Sequence, residues 1–328
     1  MELIEFKANP DKEGDLGNYW HYTFGYFIPV TTYLLQQKNE IKHKSLVFDS
    51  CNLLMDKHLR DFLTFHKFSF SFKDFGDKSI KPALHAYKSN RKKIWRKFMR
   101  WEYKIRGENA SYFIVHSFKK KGNSVIVPRW DEYLRLYFDF PPNLKLNFAE
   151  YKEKMIGFAQ VNACCDPHLG KDKLLILSRA PKPQFISSDA LNKNRWFSGY
   201  GNERRTLNQV EEGIEQLSTE GYDCLSYEPG SHNLACQINH FSKCSGIIGV
   251  RGAEFANMVW MKENAIVILF RSADFNNTPL QRELISPINL VFHEIAHNGQ
   301  NSPTFDTKEV LIILKKHEDL FKNSQISK

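Results

Sequence analysis

Apolar positions along this chain fall into two rhythms, one helical and one extended. Tyr22–Gln37 is a long apolar segment with helical spacing, and Ser45–Phe48 (SLVF) follows as a strand-like run. Tyr112–His116 (YFIVH) and Ser124–Val127 (SVIV) are further short apolar runs with β-branched residues. Pro141–Pro142 and Asn162–Asp172 (NACCDPHLGKD) interrupt the pattern, and the second predicts an inter-domain linker. Beyond it the alternation sharpens. Lys173–Ser178 (KLLILS) predicts a buried strand, Asn208–Thr219 a helix, Asp223–Tyr227 a strand and Ala235–Cys244 a helix. Gly246–Val250 (GIIGV) and Ala265–Phe270 (AIVILF) predict two more strands. Such alternation predicts an α/β fold with a parallel, Rossmann-like sheet. Ligands bind such sheets at the carboxyl ends of the strands.

Length changes this picture by adding a second domain. At roughly 100–200 residues per domain, 328 residues predict two, divided as 1–168 and 169–328. A content of 42% hydrophobic and 14% aromatic residues excludes a disordered chain. Mean hydropathy is −0.47, and no apolar run approaches the ~20 residues of a membrane span. The opening MELIEFKANPDKEGD lacks the basic and apolar regions of a signal peptide, which predicts a cytoplasmic location. Six scattered cysteines without a C-x-x-C pair fit that location and argue against a Cys-based zinc site. The vicinal pair Cys164–Cys165 predicts two buried thiols.

The net charge of +9 is uneven. Lys88–Arg106 (KSNRKKIWRKFMRWEYKIR) interleaves basic residues with Trp95, Phe98, Trp101 and Tyr103. As a helix it suits nucleic acid, an anionic membrane surface or a phosphate-bearing substrate. It equally suits an amphipathic helix with a buried aromatic stripe and a solvated basic face.

One local motif points elsewhere. His293, Glu294 and His297 spell H-E-x-x-H, which on a helix lets two imidazoles share one Zn²⁺ while the glutamate activates water. The surroundings do not complete a zinc peptidase. The extended motif would need Gly at 300 and His at 303, where Gln300 and Pro303 stand. A second-helix glutamate would also be needed, and Glu318 sits in the highly charged LKKHEDLF run near the chain end.

The strand ends hold a more coherent group. Arg179 follows KLLILS, Arg204–Arg205 precede the helix near Asn208, and GIIGV runs into Arg251-Gly252-Ala253-Glu254. Gly252 and Ala253 lack bulk, so a ligand can approach the backbone, and a helix starting there turns free N–H groups and a positive dipole end outward. Arginines around such a terminus suit a pyrophosphate, whose oxygens a guanidinium binds in pairs.

In this order, Ser178-Arg179, then Arg204 four residues before Asn208-Gln209, then Gln237, then Gly252-Ala253 and Asn257, the chain resembles glycosyltransferase family 61. The resemblance runs through residues 173–270 and again through 15–50, where Gly17-Asn18-Tyr19-Trp20-His21-Tyr22 is similar to the motif that opens the family's first domain. Two departures stand out. Arg251 replaces the family's usual His, and Pro181–Glu203 is a long insertion where most members have a short loop.

The resemblance implies the GT-B architecture, two Rossmann-like domains facing a cleft, the second closing on a terminal helix at Thr307–Lys322. It implies inverting transfer of a sugar from a nucleotide donor, with UDP-linked N-acetylglucosamine or xylose foremost, to a glycan, glycolipid or glycoprotein hydroxyl. It implies a donor site formed by Arg179, Arg204, Arg205, Arg251, Gly252, Ala253, Glu254 and Asn257, with Asn257 and Glu254 toward the ribose or sugar. Those cations would stabilise the leaving diphosphate without a metal. The base is expected from the first domain: His21 first, because an imidazole titrates near neutrality, then Asp49 at the end of SLVFDS, with Asp15 and, from the second domain, Glu254 remaining. Residues 88–106 would then touch an anionic membrane. A basic nucleic-acid-binding protein is the alternative, and a zinc peptidase the remote one.

Overall fold

The computed structural model of the chain describes residues 2–8, 19–51, 53–73, 119–127, 148–179, 181, 205–272, 288–298 and 302–322. The segments 88–106 and 112–116, Pro141–Pro142 and all of the insertion after Pro181 lie outside them. Two compact units emerge, Met1–Tyr151 and Lys152–Lys328.

In the first unit, β1 (Leu3–Ala8), β2 (Ser45–Asp49), β3 (Ser69–Lys73), β4 (Lys119–Lys121) and β5 (Ser124–Val127) form a sheet ordered β3-β2-β1-β5-β4. All neighbours are parallel except the β4–β5 hairpin. β1 is a half-buried strand in which Ile4 and Phe6 turn inward. Glu5, alternating with them, pairs with Lys73 at 2.6 Å and Lys7 at 2.9 Å, which hold its carboxyl down at about 2. The predicted helix over 22–37 is a composite: α1 (Tyr19–Tyr22), a π-type turn (Thr23–Phe27) and α2 (Ile28–Gln36), with α3 (Lys38–Ile41) after it. Pro29 has no N–H to give the carbonyl four residues back, and the wider winding falls just before it. α4 (Leu53–Phe65) follows β2 and packs on this helix, where the Tyr22 hydroxyl donates to Met55 O at 2.7 Å.

In the second unit, β6 (Leu174–Leu177), β7 (Cys224–Tyr227), β8 (Gly246–Val250), β9 (Ile266–Ser272) and β10 (Val291–His297) form an all-parallel sheet ordered β7-β6-β8-β9-β10. One face, with Ile176, Ile248, Ile268, Phe270 and Ile295, packs on α6 (Val210–Thr219) and α8 (Thr307–Lys316) through Val210, Leu217, Val310 and Leu314. Leu175, Leu177, Ile247, Val267 and Leu269 alternate with them and are equally buried, as both-face coverage of a parallel sheet requires. The chain steps from β6 outward to β7, then crosses back to β8. The reversal makes the β6/β8 boundary the topological switch point, where the loops diverge and leave a crevice at the carboxyl edge.

The division between units falls at 151/152, inside α5 (Phe148–Asn162), earlier than the 168/169 read from the sequence. Residues 163–173 are no free tether. Asp166 O accepts from His240 Nε2 at 3.1 Å, and Asp172 N donates to Lys243 O at 3.1 Å, pinning the loop to α7 (Leu234–Lys243). The predicted terminal helix is α8, which ends at Lys316, followed by α9 (Asp319–Lys322).

Candidate functional site

Both strands at the switch point end in arginine. Arg179 stands two residues past β6, and Arg251 immediately past β8 with its N–H bonded to Phe270 O at 3.0 Å. After Gly252 the chain enters a 3-10 helix, Ala253–Trp260, where an α-helix was expected. Its first turn carries Glu254, whose Oε1 accepts from Arg179 Nε at 2.7 Å. The two side chains are 10% and 20% exposed, so this is a largely desolvated pair. The same carboxylate folds over Gly252: a Cβ built there would meet Glu254 Oε2 at 2.2 Å. Gly252 has an extended backbone, φ −157°, and what meets its open side is the movable end of the Glu254 side chain. The room that the sequence reading assigned to a ligand is thus shared with the protein's own carboxylate.

Asn257, read as a ribose or sugar contact, is fully buried. Its Nδ2 donates to Gln237 Oε1 at 3.0 Å, while Gln237 Nε2 donates to His232 O at 3.0 Å. The amide chain ties the 3-10 helix to α7 and so sets the position of Gly252 and Ala253. Arg205 lies at the approach to α6 with φ +62°, and Gln209, which caps that helix, has φ +57°. Left-handed backbone at two non-glycine residues costs energy and needs outside support. Asn208 supplies it: its N–H donates to Pro303 O at 2.9 Å, its Nδ2 to Ser302 O at 2.9 Å, and its O accepts from Phe305 N at 3.0 Å. Arg204 lies outside the described residues.

Two charged residues that the strand-end argument missed join this edge. Arg271, the second-last residue of β9, makes an ion pair of 3.4 Å with Glu294 on the neighbouring β10. At that length it is a contact of charge rather than a directed hydrogen bond from Nε. Glu294 also acts on Arg251: burial lowers the guanidinium's pKa, and the carboxylate opposes the shift. The rule that selected Arg179 after KLLILS applies equally to Arg271 after AIVILF, so the signal was present. Glu294 was hidden inside the H-E-x-x-H reading.

That reading is corrected by the strand. Val291–His297 is extended, so His293 and His297 stand about 13 Å apart at ~3.3 Å per residue, and Glu294 points to the opposite face. His293 Nε2 instead meets His317 Nε2, just after α8, at 2.8 Å. Among the described residues no group of three His, Cys, Asp or Glu side chains is placed to hold a metal ion.

In the first unit, His21 lies in α1, but its side chain is outside the described set, as is all of Asp15. Asp49 ends β2, half-buried, at the carboxyl edge of its sheet. Just beyond it, Asp56 at the start of α4 accepts from Ser50 Oγ and, at 2.8 Å, from Cys51 N, bracing the turn after Asp49. Tyr22 and Tyr26 are buried there with hydroxyl pKa values pushed far up, chiefly by burial. His58 is 3% exposed, edge-on to Tyr19, and among the described residues its Nδ1 has no hydrogen-bond partner. Burial takes its pKa down to about 4, so it is neutral at neutral pH. Trp20 and Tyr22 of the Tyr19–Tyr22 motif therefore serve the core, while Tyr19 is half-buried.

Among the described residues no helix is long and apolar enough to cross a membrane. No curated protein matches this chain. A family model, Glycosyltransferase 61, matches residues 19–268, well over half of the 328, and it spans both strand-end arginines of the switch point and the Tyr19–Tyr22 helix. The chain belongs to glycosyltransferase family 61 and is a glycosyltransferase.

Proposed function

We propose that the protein is an inverting, metal-independent glycosyltransferase of the GT-B type, with a donor-binding second unit and an acceptor-binding first unit. The donor is a nucleotide sugar, UDP-linked, carrying N-acetylglucosamine or xylose, and the acceptor a hydroxyl of a glycan. The observation that carries this reading is the pairing of Arg179 and Arg251 at the β6/β8 switch point, within the stretch matched by the family model.

The charge balance supports it. Among the described residues, Arg179, Arg251 and Arg271 stand at this edge, with Glu254 and Glu294 paired to two of them. Cations here suit the negative charges of a nucleotide-sugar diphosphate, and grow in worth as the leaving group gains another. Glu254 holds the Arg179 fork in place, and Gln237–Asn257 holds the helix start, so the donors for the phosphate oxygens are fixed before binding. In the first unit His21 takes the acceptor proton, with Asp49 as the second candidate. Residues 88–106 hold the enzyme against an anionic membrane carrying its acceptor.

A panel of nucleotide sugars tests this. Thermal stabilisation by a UDP-sugar, together with its slow hydrolysis in EDTA, is expected. Stabilisation by none of the panel would overturn the donor assignment.

A further inference from the structure

Three thiols gather where the loop after α5 crosses the start of α7. Cys164 Sγ lies 3.8 Å from Cys236 Sγ, and the Cys165 thiol is also within hydrogen-bonding reach of Cys236. The vicinal pair is not doubly buried, as the sequence suggested: Cys164 is exposed and Cys165 half-buried, while Cys236 is 1% exposed. Asn233 links the group. Its Oδ1 accepts from Cys236 N at 2.7 Å, capping α7, and its Nδ2 donates to Cys164 Sγ at 3.3 Å.

We propose that Cys164 and Cys236 form an oxidation site, in which hydrogen peroxide converts the two thiols into a reversible disulfide. Cys164 is the sulfur a solvent oxidant can reach, and the Asn233 amide faces it as it takes on charge. Its thiolate attacks the peroxide, the O–O bond breaks, and water leaves once protonated, with the sulfur now a sulfenic acid. Cys236 then attacks that sulfur, the S–O bond breaks and a second water departs. Two thiols are oxidised and one hydrogen peroxide is reduced to two waters, the thiol protons ending on the two oxygens. Burial raises the Cys236 thiol's pKa, which suits the buried partner that resolves rather than initiates.

Geometry selects this pair. Closing 3.8 Å to the ~2.05 Å of a disulfide needs a shift of under about 2 Å. The loop is held in register for it by Asp166 O on His240, Pro167 O on Lys243 Nζ and Gly170 against the α7 backbone, where a Cβ would meet His240 O at 2.9 Å. A Cys164–Cys165 bridge is disfavoured, because adjacent Cα atoms stand about 3.8 Å apart, below the ~4.4 Å minimum usual for disulfides. The bridge would sit one residue before Gln237, whose amide holds Asn257.

The test uses the reduced full-length chain, brief exposure to a few equivalents of hydrogen peroxide, alkylation, and non-reducing peptide mapping in which fragmentation identifies the linked sulfurs. A Cys164–Cys236 link is expected, with loss of two hydrogens per chain, reversal by dithiothreitol, persistence in Cys165→Ser and loss in Cys164→Ser. A Cys165–Cys236 link, Cys164 driven to sulfinic acid without a link, or thiols left unreacted would each overturn it. None of these outcomes depends on the donor reading.

Discussion

Removing Arg179 tests whether the site's cation is anchored by the protein itself. At 2.7 Å and an effective dielectric of about 20, the Arg179–Glu254 attraction is roughly 6 kcal/mol before desolvation is subtracted. With both side chains mostly out of water, desolvation removes several kcal/mol of that, leaving a net coupling of about 2 kcal/mol. Arg179→Met and Glu254→Gln should each destabilise the second unit by about 2–3 kcal/mol, because each leaves a partly buried charge without its partner. The double variant should lose about 2 kcal/mol less than the sum of the singles. For a unit of this length each single change should lower the Tm by about 4–12 °C. The assay is urea unfolding of the four proteins, with the midpoint and slope fitted separately. If the singles add to within about 0.5 kcal/mol, the pair is not coupled and Glu254 is free to serve a ligand instead.

Acid should weaken the first unit through His58. Its folded pKa, about 4, lies below the ordinary 6.5, so the unfolded chain takes up the proton first. That share of stability is whole above 6.5 and falls by up to about 3 kcal/mol as pH drops to 4. His58→Leu should flatten that limb in urea midpoints measured from pH 7 to 4, and an unchanged limb would refute the assignment. Gly213→Ala should destabilise although alanine is the better helix former. A Cβ there would stand 2.4 Å from Phe305 Cδ1, and a cost of about 1–3 kcal/mol in thermal unfolding is expected, against a gain if the ring simply yields. EDTA and His293→Ala should leave sugar transfer within about twofold, since the two histidines of H-E-x-x-H are held about 13 Å apart on a strand. Loss of activity in both would revive a metal.

Much of the second unit was legible because its strands are buried on both faces. KLLILS, GIIGV and AIVILF are continuous apolar runs that only a covered parallel sheet explains, and each became a strand within two residues of its expected ends. β10 was not legible: VFHEIAH lies at the sheet edge, mixes charged and apolar residues, and places two histidines at a spacing that also reads as helical. In the first unit β1 and β3 hid for a related reason. LIEFKA and SFSFK alternate apolar with polar over only a few residues, too short to separate from loops without the sheet they join. At the site, strand-end position found Arg179 and Arg251. It could not show that Glu254 folds back over Gly252, nor that Asn257 faces Gln237, because both depend on a 3-10 turn rather than the expected α-helix.

The central claim is that the second unit binds the diphosphate of a sugar donor at the ends of β6 and β8. Calorimetric titration of UDP, GDP and CDP into the wild type and into the Arg179→Met, Glu254→Gln double variant tests it most directly. The double variant keeps the site's net charge and most of its fold but lacks the guanidinium. Binding of UDP by the wild type, weakened at least tenfold in the folded double variant, is the predicted result. Equal affinity in the two proteins, or no nucleotide bound by the wild type, would contradict it.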